Sequence, residues 1–280
     1  MLCLQLSGCG RLFFYPEKEL LRTPSDIGVE YEDVSFSSLD GTQLHGWFLP
    51  ASGPARATIV FFHGNAENIS SHVGAVFWLP AQGYNVFVWD YRGFGKSEGK
   101  PDIRGVNCDA QAALDYVASR NDVDPARLIL FGQSIGAAIA LYSAATTKLP
   151  IRAVVAESAF TSYPAIMREK MSESLLTWPL QWLSVAVTSQ YDPLKAIKAI
   201  HVHVLLIHGD RDNIIPIHHA RELYAVANQP RQLWIVKGGG HISAFAPNRL
   251  EYRKRFSRYL EGLFPDLPVS PTEETTRHLK

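Results

Sequence analysis

Along this chain, short and nearly continuous apolar runs alternate with longer stretches in which apolar positions recur every three or four residues. Runs of the first kind suit strands buried on both faces, and stretches of the second kind suit helices with one apolar stripe. The strand-like runs are residues 57–62, 84–89, 127–131, 153–157, 202–207 and 232–236. Between them, residues 103–119 place Val106, Ala110, Ala113, Leu114 and Val117 on one helical face, and residues 134–145 are small or apolar all round, which predicts a buried helix. Upstream, residues 29–36 and 42–49 flank Leu39-Asp40-Gly41, the composition of a tight turn between antiparallel strands. The pattern predicts a mostly parallel central sheet of about eight strands with helices on both faces.

Two intervals depart from this rhythm. Residues 159–200 contain no strand-like run but hold Pro164, Met167, Met171, Trp178, Pro179, Trp182 and Tyr191, which predicts a small helical cap inserted into one domain spanning residues 29–263. Residues 264–280 carry three prolines among polar residues and predict a loose tail. No internal repeat is visible.

Residues 1–28 form a separate N-terminal segment. Within it, Leu6-Ser7-Gly8-Cys9 matches a bacterial lipobox, at which Cys9 would be lipidated, but no positive charge precedes Arg11 and the apolar stretch is short for a signal peptide. Either the leader continues upstream or the match is accidental. A lipidated Cys9 would make this a cell-envelope protein held at a membrane through its N-terminus; otherwise a cytoplasmic location is expected.

Composition narrows the function classes. With 27 basic and 27 acidic residues the formal net charge is zero, so the chain lacks the basic excess that a nucleic-acid backbone requires. The three cysteines, Cys3, Cys9 and Cys108, show neither a disulfide framework nor metal-ligand spacing. His201 and His203 share a strand face without a third ligand nearby, and His218 and His219 open a helix, where solvent exposure is expected. No metal is expected. The segment 90–99 rules out two nucleotide readings: Asp90 stands where a Walker A loop needs glycine, and Gly99 is one residue late for a dinucleotide fingerprint. No cofactor is expected, and Arg92 there is read as one half of a structural ion pair.

The chemistry centres on Gly132-Gln133-Ser134-Ile135-Gly136. A Gly-x-Ser-x-Gly match by itself is weak; a strand entering it and a buried helix leaving it make it a nucleophile elbow, in which glycines let strand and helix approach. The plainer alternative is a strand-to-helix turn with a serine N-cap. A serine hydroxyl needs a base to accept its proton and a carboxylate to orient that base. Downstream, the run 202–207 leads into His208-Gly209-Asp210-Arg211-Asp212, and the run 232–236 leads into Gly238-Gly239-Gly240-His241. Both turns fall at carboxyl ends of parallel strands, where open α/β sheets place their sites. His241 is the candidate base, and Asp212 or Asp210 the candidate acid, Asp212 being deeper in the loop. Oxyanion donors are expected from the backbone N–H of Ile135 and of Asn65, in the loop His63-Gly64-Asn65-Ala66.

Taken jointly, His63-Gly64-Asn65-Ala66, Asp90-Tyr91-Arg92-Gly93-Phe94-Gly95-Lys96-Ser97, Gly132 to Gly136, His208-Gly209-x-x-Asp212 and Gly240-His241 resemble the Bem46-like branch of the α/β-hydrolase superfamily over residues 29–263. The resemblance implies the α/β-hydrolase fold and selects Asp212 as the acid. The cap carries no motif of that branch.

The expected activity is hydrolysis of an ester or thioester through an acyl-enzyme, with Ser134, Asp212 and His241 as catalytic residues. A peptidase or amidase on the same triad, and a non-catalytic binding protein of the same fold, are the alternatives. Phe160, Tyr163, Met167, Met171, Trp178 and Trp182 are candidate lining for an acyl pocket, unless they serve to pack the cap onto the core.

Overall fold

The computed structural model describes residues 13–267. Its central sheet has eight strands: β1 Glu32–Ser37, β2 Gln43–Leu49, β3 Ala57–Phe62, β4 Tyr84–Asp90, β5 Leu128–Gln133, β6 Ala153–Glu157, β7 His203–Gly209 and β8 Arg231–Val236. Their spatial order is β8-β7-β6-β5-β3-β4-β2-β1. Strands β3 to β8 run parallel, while β2 pairs antiparallel with both β1 and β4. Three of the parallel strands, β4, β5 and β7, extend past the apolar runs that announce them, ending in Asp90, Gln133 and Gly209. The polar ends of β4 and β5 read as loop by hydropathy yet keep their ladder bonds.

Alternate residues of each strand bury on opposite faces, so two apolar layers form. Val60, Phe62, Leu128, Leu130 and Val154 meet α1 (Ile103–Ser119) and α2 (Ile135–Thr146) on one face. Ile59, Phe61, Ile129, Phe131 and Val155 meet α5 (Leu250–Gly262), through Phe256 and Leu260, on the other. Between β6 and β7 lie α3 (Tyr163–Ser172) and a 3-10 segment Trp178–Ala186, and α4 (His218–Val226) follows β7.

The described part of the N-terminal segment is packed. Phe14 is buried edge-on against Phe94, Phe13 meets Tyr163, and Tyr15–Pro16 pairs in parallel with Ala66–Glu67. Its polar sequence hides this, because the pairing uses backbone groups: Tyr15 N–H donates to Asn65 O at 2.8 Å, and Asn68 Nδ2 donates to the carbonyls of Glu17 and Glu19. At the other end Leu263 and Phe264 are buried against the core, so the chain stays packed into the interval read as tail. Cys9, the lipobox around it, and residues 268–280 lie outside the described residues.

Candidate active site

Strand β5 ends at Gln133, and Ser134 turns the chain into α2 with φ 56° and ψ −121°. A positive φ is a strained conformation for a side chain with a Cβ. Close approach on both sides holds it. A Cβ on Gly132 would sit 2.2 Å from Gly136 O, and one on Gly136 would sit 2.1 Å from Phe62 O and 2.3 Å from His63 O. Only glycines allow α2 to start this close to the end of β3. Ser134 makes no side-chain cap bond, so the N-cap reading is excluded. Its Oγ lies 3.0 Å from His241 Nε2 instead.

His241 Nδ1 lies 2.8 Å from Asp212 Oδ2, and Asp212 Oδ1 accepts from the N–H groups of Ile214 and Ile215, each at 2.9 Å. Burial opposes ionisation of Asp212, but the hydrogen bond and charge of His241 and the two backbone donors outweigh it and hold the carboxyl down to about 2. An ionised Asp212 can only accept, so His241 carries its proton on Nδ1 and turns the Nε2 lone pair to the serine hydroxyl. Asp210 does not reach the histidine; its Oδ1 accepts from Gly238 N–H at 2.7 Å. The acid and base turns close on each other at Gly209, where a Cβ would lie 2.3 Å from Gly239 O.

The candidate oxyanion residues belong to two neighbouring elements, the start of α2 and the loop leaving β3. Ile135 is the first residue of α2, so its N–H is one that no carbonyl of its own helix reaches. Asn65 belongs to the loop leaving β3, whose Phe62 and His63 carbonyls touch the start of α2. Behind that loop His63 is fully buried, with Nδ1 donating to Gly64 O at 2.8 Å and Nε2 3.4 Å from Asp90 Oδ1. Burial pushes the Asp90 carboxyl up to about 8, against the Ile69 N–H bond and Lys18, and keeps His63 neutral.

Glu157 and Ser158 are site residues that the motifs do not reveal. Glu157 ends β6 beside Gln133, and its backbone carbonyl accepts from Ser134 N–H at 2.9 Å. Its buried carboxylate accepts from Gln133 Nε2 at 2.7 Å and from Ala244 N–H at 2.8 Å. Burial raises its pKa, partly offset by those two bonds and by His241. Ser158, at φ 54°, accepts through Oγ from Ile242 N–H, and Ile242 is itself at φ 43°. The pair ties the His241 loop to the turn holding Ser134. A lone charge closing the apolar run Ala153-Val154-Val155-Ala156 is the signal that marks Glu157 in sequence.

Several expected roles change. Phe160, Tyr163 and Met167 are buried within the core cluster, and Met171 packs on it; they join the cap to the body. Trp178 and Trp182 instead stand 60% and 66% exposed, because the 3-10 segment turns its inner side, Ser184, toward α3. His218 is exposed as expected, but His219 is buried: Nε2 lies 3.0 Å from Glu169 Oε2, and Nδ1 accepts from Thr161 N–H at 3.2 Å. Glu169, His218 and His219 could by distance hold a cation, their donor atoms lying within 4.8 Å. The Thr161 N–H fixes the His219 tautomer, however, leaving Nε2 protonated and without a lone pair for a metal. The set fits a brace between cap and α4 instead. Arg92 is an ion-pair residue, 2.7 Å from Asp109 and 2.8 Å from Asp40.

The Hydrolase_4 family model, described as serine aminopeptidase, S33, matches residues 53–194. The chain is 40% identical over 240 residues to YfhR of Escherichia coli (strain K12), covering 84% of this chain and 80% of that one. It is 30% identical over 206 residues to protein bem46 of Schizosaccharomyces pombe, covering 71% and 66%. Among solved structures, the Pyrococcus furiosus esterase Pf2001 superposes with a TM-score of 0.74 at 22% identity, over 90% of this chain and 98% of that one, a likeness of fold. Sheet order, serine turn and relatives agree, and the chain belongs to the Bem46-like branch of the α/β-hydrolase superfamily, a hydrolase of that fold.

Proposed function

We propose that the protein is a serine hydrolase of carboxylic esters or thioesters, working through an acyl-enzyme. The observation that carries this reading is the unbroken chain Ser134 Oγ, His241 Nε2, His241 Nδ1, Asp212 Oδ2, with spacings of 3.0 and 2.8 Å. As Ser134 Oγ bonds to the substrate carbonyl carbon, His241 takes its proton and passes it to the departing alcohol or thiol. The Ile135 and Asn65 N–H groups receive the developing oxyanion. Water, deprotonated by His241, then attacks the acyl group, and the acid leaves as Ser134 regains its proton.

The description of the matched family model suggests aminoacyl substrates. An aminopeptidase needs a free carboxylate for the substrate ammonium, and the two carboxylates that touch the serine and histidine loops, Glu157 and Asp212, are both committed to internal partners. That favours esters. General-base help is worth about 10² to 10⁴ in rate, so Ser134→Ala should lose at least about 10³ in p-nitrophenyl ester turnover while melting like the parent. Wild type should take one fluorophosphonate per chain, at Ser134. An unlabelled but folded wild type would mark a binding protein, and faster turnover of aminoacyl anilides than of esters would mark a peptidase.

A further inference from the structure

Six of the thirteen exposed large apolar side chains among the described residues fall in one short stretch of the cap: Leu175 at 95%, Leu176 at 84%, Trp178, Leu180, Trp182 and Val185. From Ser174 to Gln190 there is no charged residue and no histidine. The other exposed apolar residues are scattered singly, as on ordinary surfaces. This ridge is held outward. Ser184 and Val187 fill its inner side, Thr177 Oγ1 donates to Met171 O at 2.8 Å, and Trp178 N–H donates to Ser174 O at 2.8 Å.

We propose that this ridge docks the cap on a lipid bilayer, so that the site beneath draws its acyl substrate from membrane lipid. The substrate clause rests on the serine-esterase reading; the docking clause does not. Two tryptophans among leucines, with charge only at the flanks (Lys170 and Glu173 before, Asp192 and Lys195 after), suit the boundary between headgroups and acyl chains. The N-terminal segment points to lipid over a second copy of the chain. It is apolar at Leu2, Leu4 and Leu6, uncharged before Arg11, and joins the described structure at Phe13, whose ring lies 5.3 Å from that of Tyr163, the first residue of α3. Helix α3 spans about 15 Å, and the ridge follows from its far end and folds back along it. Cys9 precedes Phe13 by four residues, a reach of at most about 14 Å. A lipid carried on Cys9 would therefore reach the same bilayer as the ridge, and the cap lies at the carboxyl edge of the sheet that carries Ser134.

The test uses full-length Ser134→Ala protein, which separates docking from turnover, mixed with phosphatidylcholine vesicles and with phosphatidylcholine–phosphatidylglycerol vesicles. Co-sedimentation with both, little changed by salt, is expected, with a blue shift of tryptophan emission. The further change Leu175→Ser, Leu176→Ser and Val185→Ser should lower partitioning at least tenfold without altering the thermal melt. The same triple change in a wild-type background should leave turnover of a soluble acetate ester unchanged. Absent vesicle binding, binding untouched by the triple change, binding only to anionic vesicles that salt abolishes, or a dimer that the triple change dissolves would each overturn the proposal.

Discussion

Replacing Asp212 by Asn removes a charge while keeping the shape, and the structure dictates how the new amide would lie. The oxygen corresponding to Oδ1 is claimed by the N–H groups of Ile214 and Ile215 at 2.9 Å. Turning the amide over would set its NH₂ against both donors, and a buried donor left without an acceptor costs about 1–3 kcal/mol. The NH₂ therefore faces His241 Nδ1, which lies 2.8 Å away in the wild type. An NH₂ group can only donate, so His241 shifts its proton to Nε2 and presents an N–H to Ser134 Oγ, the wrong tautomer for a base. The same change in a well-studied serine protease lowers kcat about 10⁴, and a loss of about 10³ to 10⁴ is expected here, or about 4–5 kcal/mol of transition-state stabilisation. KM for a p-nitrophenyl ester should stay within about threefold, because the Asp212 side chain is fully buried behind His241. Asp210→Asn is the control: its carboxylate holds Gly238 N–H and not the histidine. A loss under tenfold in Asp212→Asn, or an equal loss in Asp210→Asn, would refute the reasoning.

Three further expectations follow from the packing around the site. Asp90, pushed up to about 8 by burial, binds its proton more tightly in the folded chain than in the unfolded one, so its own contribution to stability is fully present below the unfolded value near 4 and is lost as pH rises toward 8. Relative to Asp90→Asn, the wild type should lose about 4 kcal/mol between pH 4 and pH 7 in urea unfolding; parallel profiles would remove the buried-acid account. Gly136→Ala brings a Cβ to 2.1 Å from Phe62 O and 2.3 Å from His63 O, both backbone atoms that cannot rotate away. A destabilisation above about 3 kcal/mol and loss of fluorophosphonate labelling are expected, and a normal melt would contradict the close approach. Glu157→Gln weakens a charge-assisted anchor of the His241 loop worth about 1.5–3 kcal/mol. It should lower kcat about ten- to a hundredfold with little change in KM, and a KM effect alone would mean that Glu157 meets substrate instead.

What the sequence by itself determined follows from local rules. Apolar runs and helical patterns located the eight strands and the helices α1 and α2, because each of these elements carries its own apolar evidence. Ser134, His241 and the turn holding Asp210 and Asp212 were legible because strand ends, glycines and chain order are local features. Which aspartate meets the histidine depended on where two loops close across the sheet edge, at Gly209 against Gly239. Glu157, Ser158 and the strap from Phe13 to Glu19 are held in large part through backbone N–H and C=O groups, and side-chain hydropathy carries no information about those partners. His219 shows the same limit: its helix position suggested solvent, and only the placing of α3 set Glu169 and Thr161 on its two ring nitrogens. Trp178 and Trp182 read as pocket lining because apolar residues usually go inside. Tertiary structure put them outside, since the inner side of the cap was already filled by Ser184 and Val187.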